Sequence, residues 1–138
     1  EYREALRLAP GLAEAHMHLG IVLAARGALS EALGAYDAAL AAAPRLPTAQ
    51  YNRALALEAM GRPDTAREAL RAELVAQPDW PPALLRLALL LAAGGPSERM
   101  EADRLVTVAA TGLGDDDPDV QAVQRRLRDG VAGTADSP

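Results

Sequence analysis

The residue types that most often bind metals are few in this chain, and their spacing does not suit a metal site. His16 and His18 lie two residues apart, so on a helix they point to different faces and cannot easily share an ion. The acidic stretch 115–119 (DDDPD) lacks the alternating oxygen ligands and distant Glu of an EF-hand loop. We interpret this stretch as a solvated loop in which Asp117 caps the helix that follows.

Catalytic motifs are also missing from the sequence. No Ser-His-Asp order, phosphate-binding loop or paired acid–base motif stands out. Cysteine is absent, which removes thiol nucleophiles, cysteine-ligated metals and disulfides. We therefore predict a non-catalytic protein with no catalytic residue, no metal and no cofactor.

Composition favours an all-α protein that does not bind nucleic acid and does not insert into a membrane. Half of the residues are hydrophobic, only 3% are aromatic, and the helix formers Ala and Leu dominate. The net charge is −5 and no basic run exceeds two residues, whereas phosphate binding needs a clustered cationic face. No apolar run reaches the roughly 18 residues of a membrane span. All 14 Lys and Arg positions hold Arg, which suggests a GC-rich coding genome, and we predict a bacterial source as a hypothesis about codon usage.

Turn-forming residues recur every 34 residues, and this period is the main organising feature of the chain. The matching positions are Pro10, Pro44 and Pro78, and Gly27, Gly61 and Gly95. A fixed period of this size is typical of stacked helical repeats. Proline and glycine interrupt helices, so each repeat is predicted to be two helices that meet at a turn.

The period divides the chain into a half repeat at 1–12, full repeats at 13–46, 47–80 and 81–114, a capping helix at about 118–128, and a disordered tail at 130–138. Ser30 is the predicted cap of the second helix in the first full repeat, and Pro47 is the predicted start of the next repeat. The chain begins at Glu1 in what reads as the middle of a helix. We therefore expect it to be a fragment of a longer protein.

The repeat resembles the tetratricopeptide repeat (TPR), a pair of antiparallel helices with small residues where they cross. Leu19 and Gly20 match the Leu-Gly pair of this family, and its second-helix and turn positions are matched by Ala32, Tyr36, Ala39 and Pro44. Arg53 and Glu73 depart from the pattern, which has Leu and Ala there. The resemblance implies an α-solenoid, a right-handed superhelix of antiparallel helix pairs.

The resemblance also implies a concave groove lined by the first helix of each repeat. The residues at the ligand-contacting positions are Met17, His18, Ile21, Tyr51, Asn52, Leu55, Glu58, Leu85, Arg86 and Leu89. Most of them are apolar, and the polar residues His18, Asn52 and Arg86 share one repeat position. An Asn side chain can hydrogen-bond a peptide backbone, and an Arg side chain can bind a carboxylate. The predicted partner is a protein or peptide that is partly apolar and carries an acidic group. Periodicity alone does not separate groove from core at the apolar positions.

Three alternatives remain open at this stage. The carboxylate clamp of chaperone-binding TPR domains is incomplete, because Met17, Ile21 and Pro82 stand where the clamp has Lys, Asn and Lys. The array is expected to be a protein-interaction scaffold, but it could also present substrates within a longer enzyme, such as a glycosyltransferase or sulfotransferase. Self-association through grooves or repeat ends is the third reading, and fold alone does not decide among them.

Overall fold

The computed structural model describes residues 10–135, which form seven helices and no strand. The helices are α1 (Pro10–Ala25), α2 (Leu29–Ala42), α3 (Ala49–Ala59), α4 (Pro63–Ala76), α5 (Pro81–Ala92), α6 (Pro96–Leu113) and α7 (Pro118–Ala135). The all-α prediction is confirmed for these residues. The predicted half repeat lies mostly outside them, since only residues 10–12 are described.

Proline sets the start of five of the seven helices. Its missing N–H would have no partner in the first turn of a helix, so it is tolerated there. Helix α1 is described from Pro10 onward, so the expected start at Ala13 lies inside it. Pro47 does not follow this rule, because it lies in a turn and α3 begins only at Ala49.

Two further expectations about helix ends were wrong. Ser30 does not cap α2, because the N-cap residue is Ala28 and no side chain bonds to this helix start. The last helix does not stop near Arg128 but continues to Ala135. The predicted tail therefore does not begin at Gly130, and residues 136–138 lie outside the described residues.

The turns that follow α1 and α3 repeat the same hydrogen bonds 34 residues apart. The N–H of Ala28 donates to the carbonyl of Leu23, and the N–H of Arg62 donates to that of Leu57, both at 2.9 Å. The residue before each donor is a glycine: Gly27 has a φ angle of 81° and Gly61 has one of 76°. Glycine adopts this left-handed conformation without the cost that other residues meet.

Helices α1 to α4 form one compact unit, which ends at Ala76. The contacts run within the pairs α1–α2 and α3–α4 and between α2 and α3. Alanines at the crossing points, Ala32, Ala39 and Ala66, are fully buried and let the helices approach closely. Arg53, at a position where the repeat pattern has Leu, forms an ion pair with Asp37 of α2 at 3.0 Å.

Helices α5 to α7 form a second compact unit, from Gln77 onward. Helix α7 contacts both α5 and α6, and its buried residues are Val120, Val123 and Leu127. Its other side is polar, with Arg125, Arg126 and Arg128 exposed. Helix α7 is therefore amphipathic, with its apolar side packed against α5 and α6.

Candidate functional site

A cleft of about 260 Å³ opens in the first unit, with walls from α1, α2 and α3. Most of its lining is aliphatic, and the exceptions are one amide and one aromatic ring. The lining residues are Ile21, Ala24, Leu29, Tyr36, Asn52, Leu55, Ala56 and Ala59. An apolar concave surface with few polar groups is the usual form of a binding site.

Tyr36 reaches the cleft because α1 has a glycine opposite its ring. A Cβ atom added to Gly20 would lie 2.5 Å from Cε1 and 2.7 Å from Cδ1 of Tyr36, which is closer than real Cβ atoms pack. Tyr36 is 2% exposed, and burial raises the pKa of its hydroxyl. The Leu-Gly pair of the repeat therefore provides the space that this ring needs.

Helix α3 places its cleft residues on one face. Asn52, Leu55, Ala56 and Ala59 follow the spacing of three and four residues that brings side chains to one side of a helix. The amide of Asn52 both donates and accepts hydrogen bonds, so it suits the peptide backbone of a ligand. It is the polar group of an otherwise aliphatic α3 wall.

The first turn of α3 is held by two neighbouring helices. The carboxylate of Glu73, on α4, accepts hydrogen bonds from the backbone N–H of Thr48 at 3.2 Å and of Tyr51 at 3.0 Å. The hydroxyl of Thr48 lies 3.4 Å from Sδ of Met17, on α1. These contacts join the start of α3 to α4 and α1.

Of the groove residues predicted in the first unit, three line the cleft: Ile21, Asn52 and Leu55. His18 is exposed on α1, while Tyr51 and Glu58 are half-buried on α3. Met17, also predicted for the groove, does not line the cleft. It is only 9% exposed and packs in the core with Ala32 and Tyr36.

The three groove residues predicted in the second unit lie on α5. Leu85 is 8% exposed and belongs to the core of this unit. Arg86 and Leu89 are half-buried. The burial of Met17 and Leu85 has one cause, because a helix that packs on two sides has more apolar positions than its groove face alone requires.

Sequence reasoning missed the contribution of the second helix of the pair. Leu29 and Tyr36 both lie on α2, whereas the family pattern assigns ligand contacts to first helices. A usable signal was present in Gly20. A glycine inside a helix leaves space on that helix, and a large aromatic side chain of the neighbouring helix can pack there.

The acidic stretch has the structural role expected from the sequence. Oδ1 of Asp117 accepts hydrogen bonds from the N–H groups of Asp119 at 2.9 Å and Val120 at 3.2 Å, so it caps α7. Within the described residues, no group of three or more His, Cys, Asp or Glu side chains could hold a metal ion. No helix in the same part of the chain combines the length and apolar character needed to cross a membrane.

Comparisons with solved structures show the same fold. The first TPR domain of human RPAP3 covers 94% of this chain and 99% of its own length, with a TM-score of 0.79 and 19% identity. The first TPR of Spaghetti (RPAP3), bound to the HSP90 peptide SRMEEVD, covers 91% and 94%, with a TM-score of 0.76 and 18% identity.

A third structure is the Yersinia enterocolitica type III secretion chaperone SycD in complex with a peptide of the translocator YopD. It covers 88% of this chain and 93% of its own, with a TM-score of 0.71 and 18% identity. A comparison with curated protein sequences found no match.

Family models give the assignment. Two models of the tetratricopeptide repeat match adjoining parts of the chain, one at residues 1–47 and the other at residues 47–90. Together they cover residues 1–90. The chain belongs to the tetratricopeptide repeat family.

Proposed function

We propose that this chain is a non-catalytic scaffold that binds a peptide or protein segment, and that the cleft between α1 and α3 takes one apolar side chain of that segment. The observation that carries the proposal is the aliphatic cleft with Asn52 in its wall. Its volume of about 260 Å³ is below the range of about 300–1,000 Å³ typical of small-molecule sites. An open cleft of this size has room for an apolar side chain of a bound segment and is small for a cofactor.

The structural relatives agree with this proposal. Two proteins of the same fold have been solved with bound peptides, an HSP90 peptide in one and a YopD peptide in the other. A peptide that places an apolar side chain in the cleft also brings its own backbone amides close to the wall. Asn52 would pair with those amides, which would otherwise lose their hydrogen bonds to water.

The proposal can be tested with a small probe, N-acetyl-leucine-N-methylamide, titrated into the isotope-labelled chain. We expect shifts of the Asn52 amide and of the methyl groups of Ile21 and Leu55. N-acetylglycine-N-methylamide offers the same backbone without the side chain, and we expect it to cause no such shifts. Equal effects from the two compounds would contradict an apolar subsite.

Two neighbouring residues on α1 provide the matched protein control. Ile21 lines the cleft and is 40% exposed, whereas Val22 is 47% exposed and does not line it. Ile21→Ala should weaken binding of the leucine probe and Val22→Ala should not. Asn52→Ala should weaken it by about twofold to tenfold, the usual net value of one hydrogen bond.

For the second unit we propose that Arg86 recognises an acidic group of the partner. Arg86 is half-buried on α5, and the planar guanidinium of an arginine offers a fork of donors that matches a carboxylate. Acetate serves as the probe. We expect it to shift signals around Arg86, less so in Arg86→Lys, while the exposed Arg104→Ala on α6 has no effect. Equal acetate effects in the wild type and in Arg86→Ala would overturn this assignment.

A further inference from the structure

The first helices of the three helix pairs begin in different ways. A helix leaves its first N–H groups without partners inside the helix, and these donors need acceptors. Proline removes one donor at the start of α1 (Pro10), and two prolines in a row do so at the start of α5 (Pro81 and Pro82). Helix α3 has no proline in its first turn and needs another solution.

The N-cap residue of α3 does not supply that solution. Thr48 has a φ of 73°, in the left-handed region, and its side chain makes no capping hydrogen bond. Its hydroxyl instead lies 3.4 Å from Sδ of Met17. The N–H of Ala49 donates to the carbonyl of Leu46 at 3.2 Å, whereas the N–H groups of Thr48 and Tyr51 have their acceptors on another helix.

Glu73 satisfies both of these donors from another helix. Its Oε2 accepts from the N–H of Thr48 at 3.2 Å, and its Oε1 accepts from the N–H of Tyr51 at 3.0 Å. The residue is 1% exposed, although a buried carboxylate is costly unless it is hydrogen-bonded. One repeat earlier, the matching residue is Ala39, which is 0% exposed. The positive end of the α3 dipole further favours a negative charge here.

We infer that Glu73 is a positioning residue for the cleft: its carboxylate fixes the first turn of α3 and thereby holds Asn52 and Leu55 in the cleft wall. Asn52 is linked directly to this turn, because its N–H donates to the carbonyl of Thr48 at 2.9 Å. Thr48 is thus held through its N–H by Glu73 and through its hydroxyl by Met17. The role of Asn52 in binding rests on the proposed function, whereas the fixing of the turn does not.

Amide hydrogen exchange of the full chain, followed residue by residue by NMR, tests the inference without a partner. In Glu73→Ala we expect exchange of the Thr48 and Tyr51 amides to become about tenfold faster or more, because both lose a buried acceptor. The matched control is Glu68→Ala, which removes an exposed carboxylate from the same helix. It should leave both amides unchanged.

The near-isosteric variant Glu73→Gln separates positioning from mere packing. Its amide keeps one acceptor oxygen and loses the other, so only one of the two backbone amides should exchange faster. Uniformly faster exchange throughout α3 and α4 in this variant would overturn the inference. Unchanged exchange at both Thr48 and Tyr51 would overturn it as well.

The leucine probe then links the turn to the cleft. Glu73→Gln should weaken its binding several-fold, although residue 73 does not line the cleft. If the wild type binds the probe and Glu73→Gln binds it equally well, Glu73 does not position the cleft. If the wild type fails to bind the probe, the proposed function fails, and the exchange pattern at Thr48 and Tyr51 alone decides whether Glu73 fixes the turn.

Discussion

The carboxylate of Glu73 accepts a hydrogen bond from the backbone N–H of Tyr51 at 3.0 Å, although the two residues lie 22 positions apart on different helices. A second bond joins the same carboxylate to the N–H of Thr48. A side chain that departs from the repeat pattern therefore performs a task that a local cap performs in most helices. The departure stabilises the wall of the cleft, so it is tied to the site and not only to the core.

Loss of this cap should destabilise the first unit. Glu73→Ala leaves two backbone donors without their acceptors, and we expect a loss of about 1–3 kcal/mol in the free energy of unfolding. Urea denaturation followed by circular dichroism measures this change. Glu68→Ala, on the exposed side of the same helix, should stay within about 0.5 kcal/mol of the wild type. Equal stabilities for the two variants would count against the cap.

Two glycines that lie inside helices should respond to alanine in opposite directions. Gly20→Ala places a methyl group against the ring of Tyr36 and should cost about 1–3 kcal/mol through overpacking. Gly34→Ala, on α2, meets no atom within 4 Å and should raise stability by about 0.5–1 kcal/mol through helix propensity. Thermal melting of the two variants measures whether each substitution lowers or raises the stability. An increase in Tm for Gly20→Ala would show that the ring of Tyr36 lies elsewhere.

The turn glycines differ in a way that the sequence period hides. Gly61 has a φ of 76°, whereas Gly95, 34 residues later, has a φ of −79°. Gly61→Ala should therefore cost about 1–2 kcal/mol, because residues with a side chain adopt left-handed conformations only at that cost. Gly95→Ala should cost less, because alanine adopts this φ without strain and only the N-cap preference for glycine is lost. Chemical denaturation of both variants checks the difference, and equal losses would contradict it.

The cap of α7 gives a prediction for the second unit. Asp117→Ala removes the acceptor for the N–H groups of Asp119 and Val120 and should cost about 0.5–2 kcal/mol. Asp116→Ala removes the same charge from the preceding, exposed position and should have little effect. Faster amide exchange at Val120 in the first variant alone is the expected pattern. The same acceleration in both variants would assign the effect to net charge.

The helix pairs could be predicted from the sequence, whereas only some residues of the cleft could. The period, with proline and glycine at its turns, placed the helices because these residues act locally. Met17 and Leu85 were placed in the groove because helical spacing shows which residues share a face, not what that face packs against. Tyr36 and Glu73 could not be assigned their roles, since each acts on a helix other than its own.

The most direct test of the central claim is a search for intermolecular nuclear Overhauser effects between N-acetyl-leucine-N-methylamide and the methyl groups of the chain. The two sides of α1 give the alternatives, because Ile21 lines the cleft whereas Leu19 and Val22 are exposed and do not. The account predicts contacts from the probe to Ile21 and Leu55. Contacts to Leu19 and Val22 without any to Ile21 or Leu55 would contradict it.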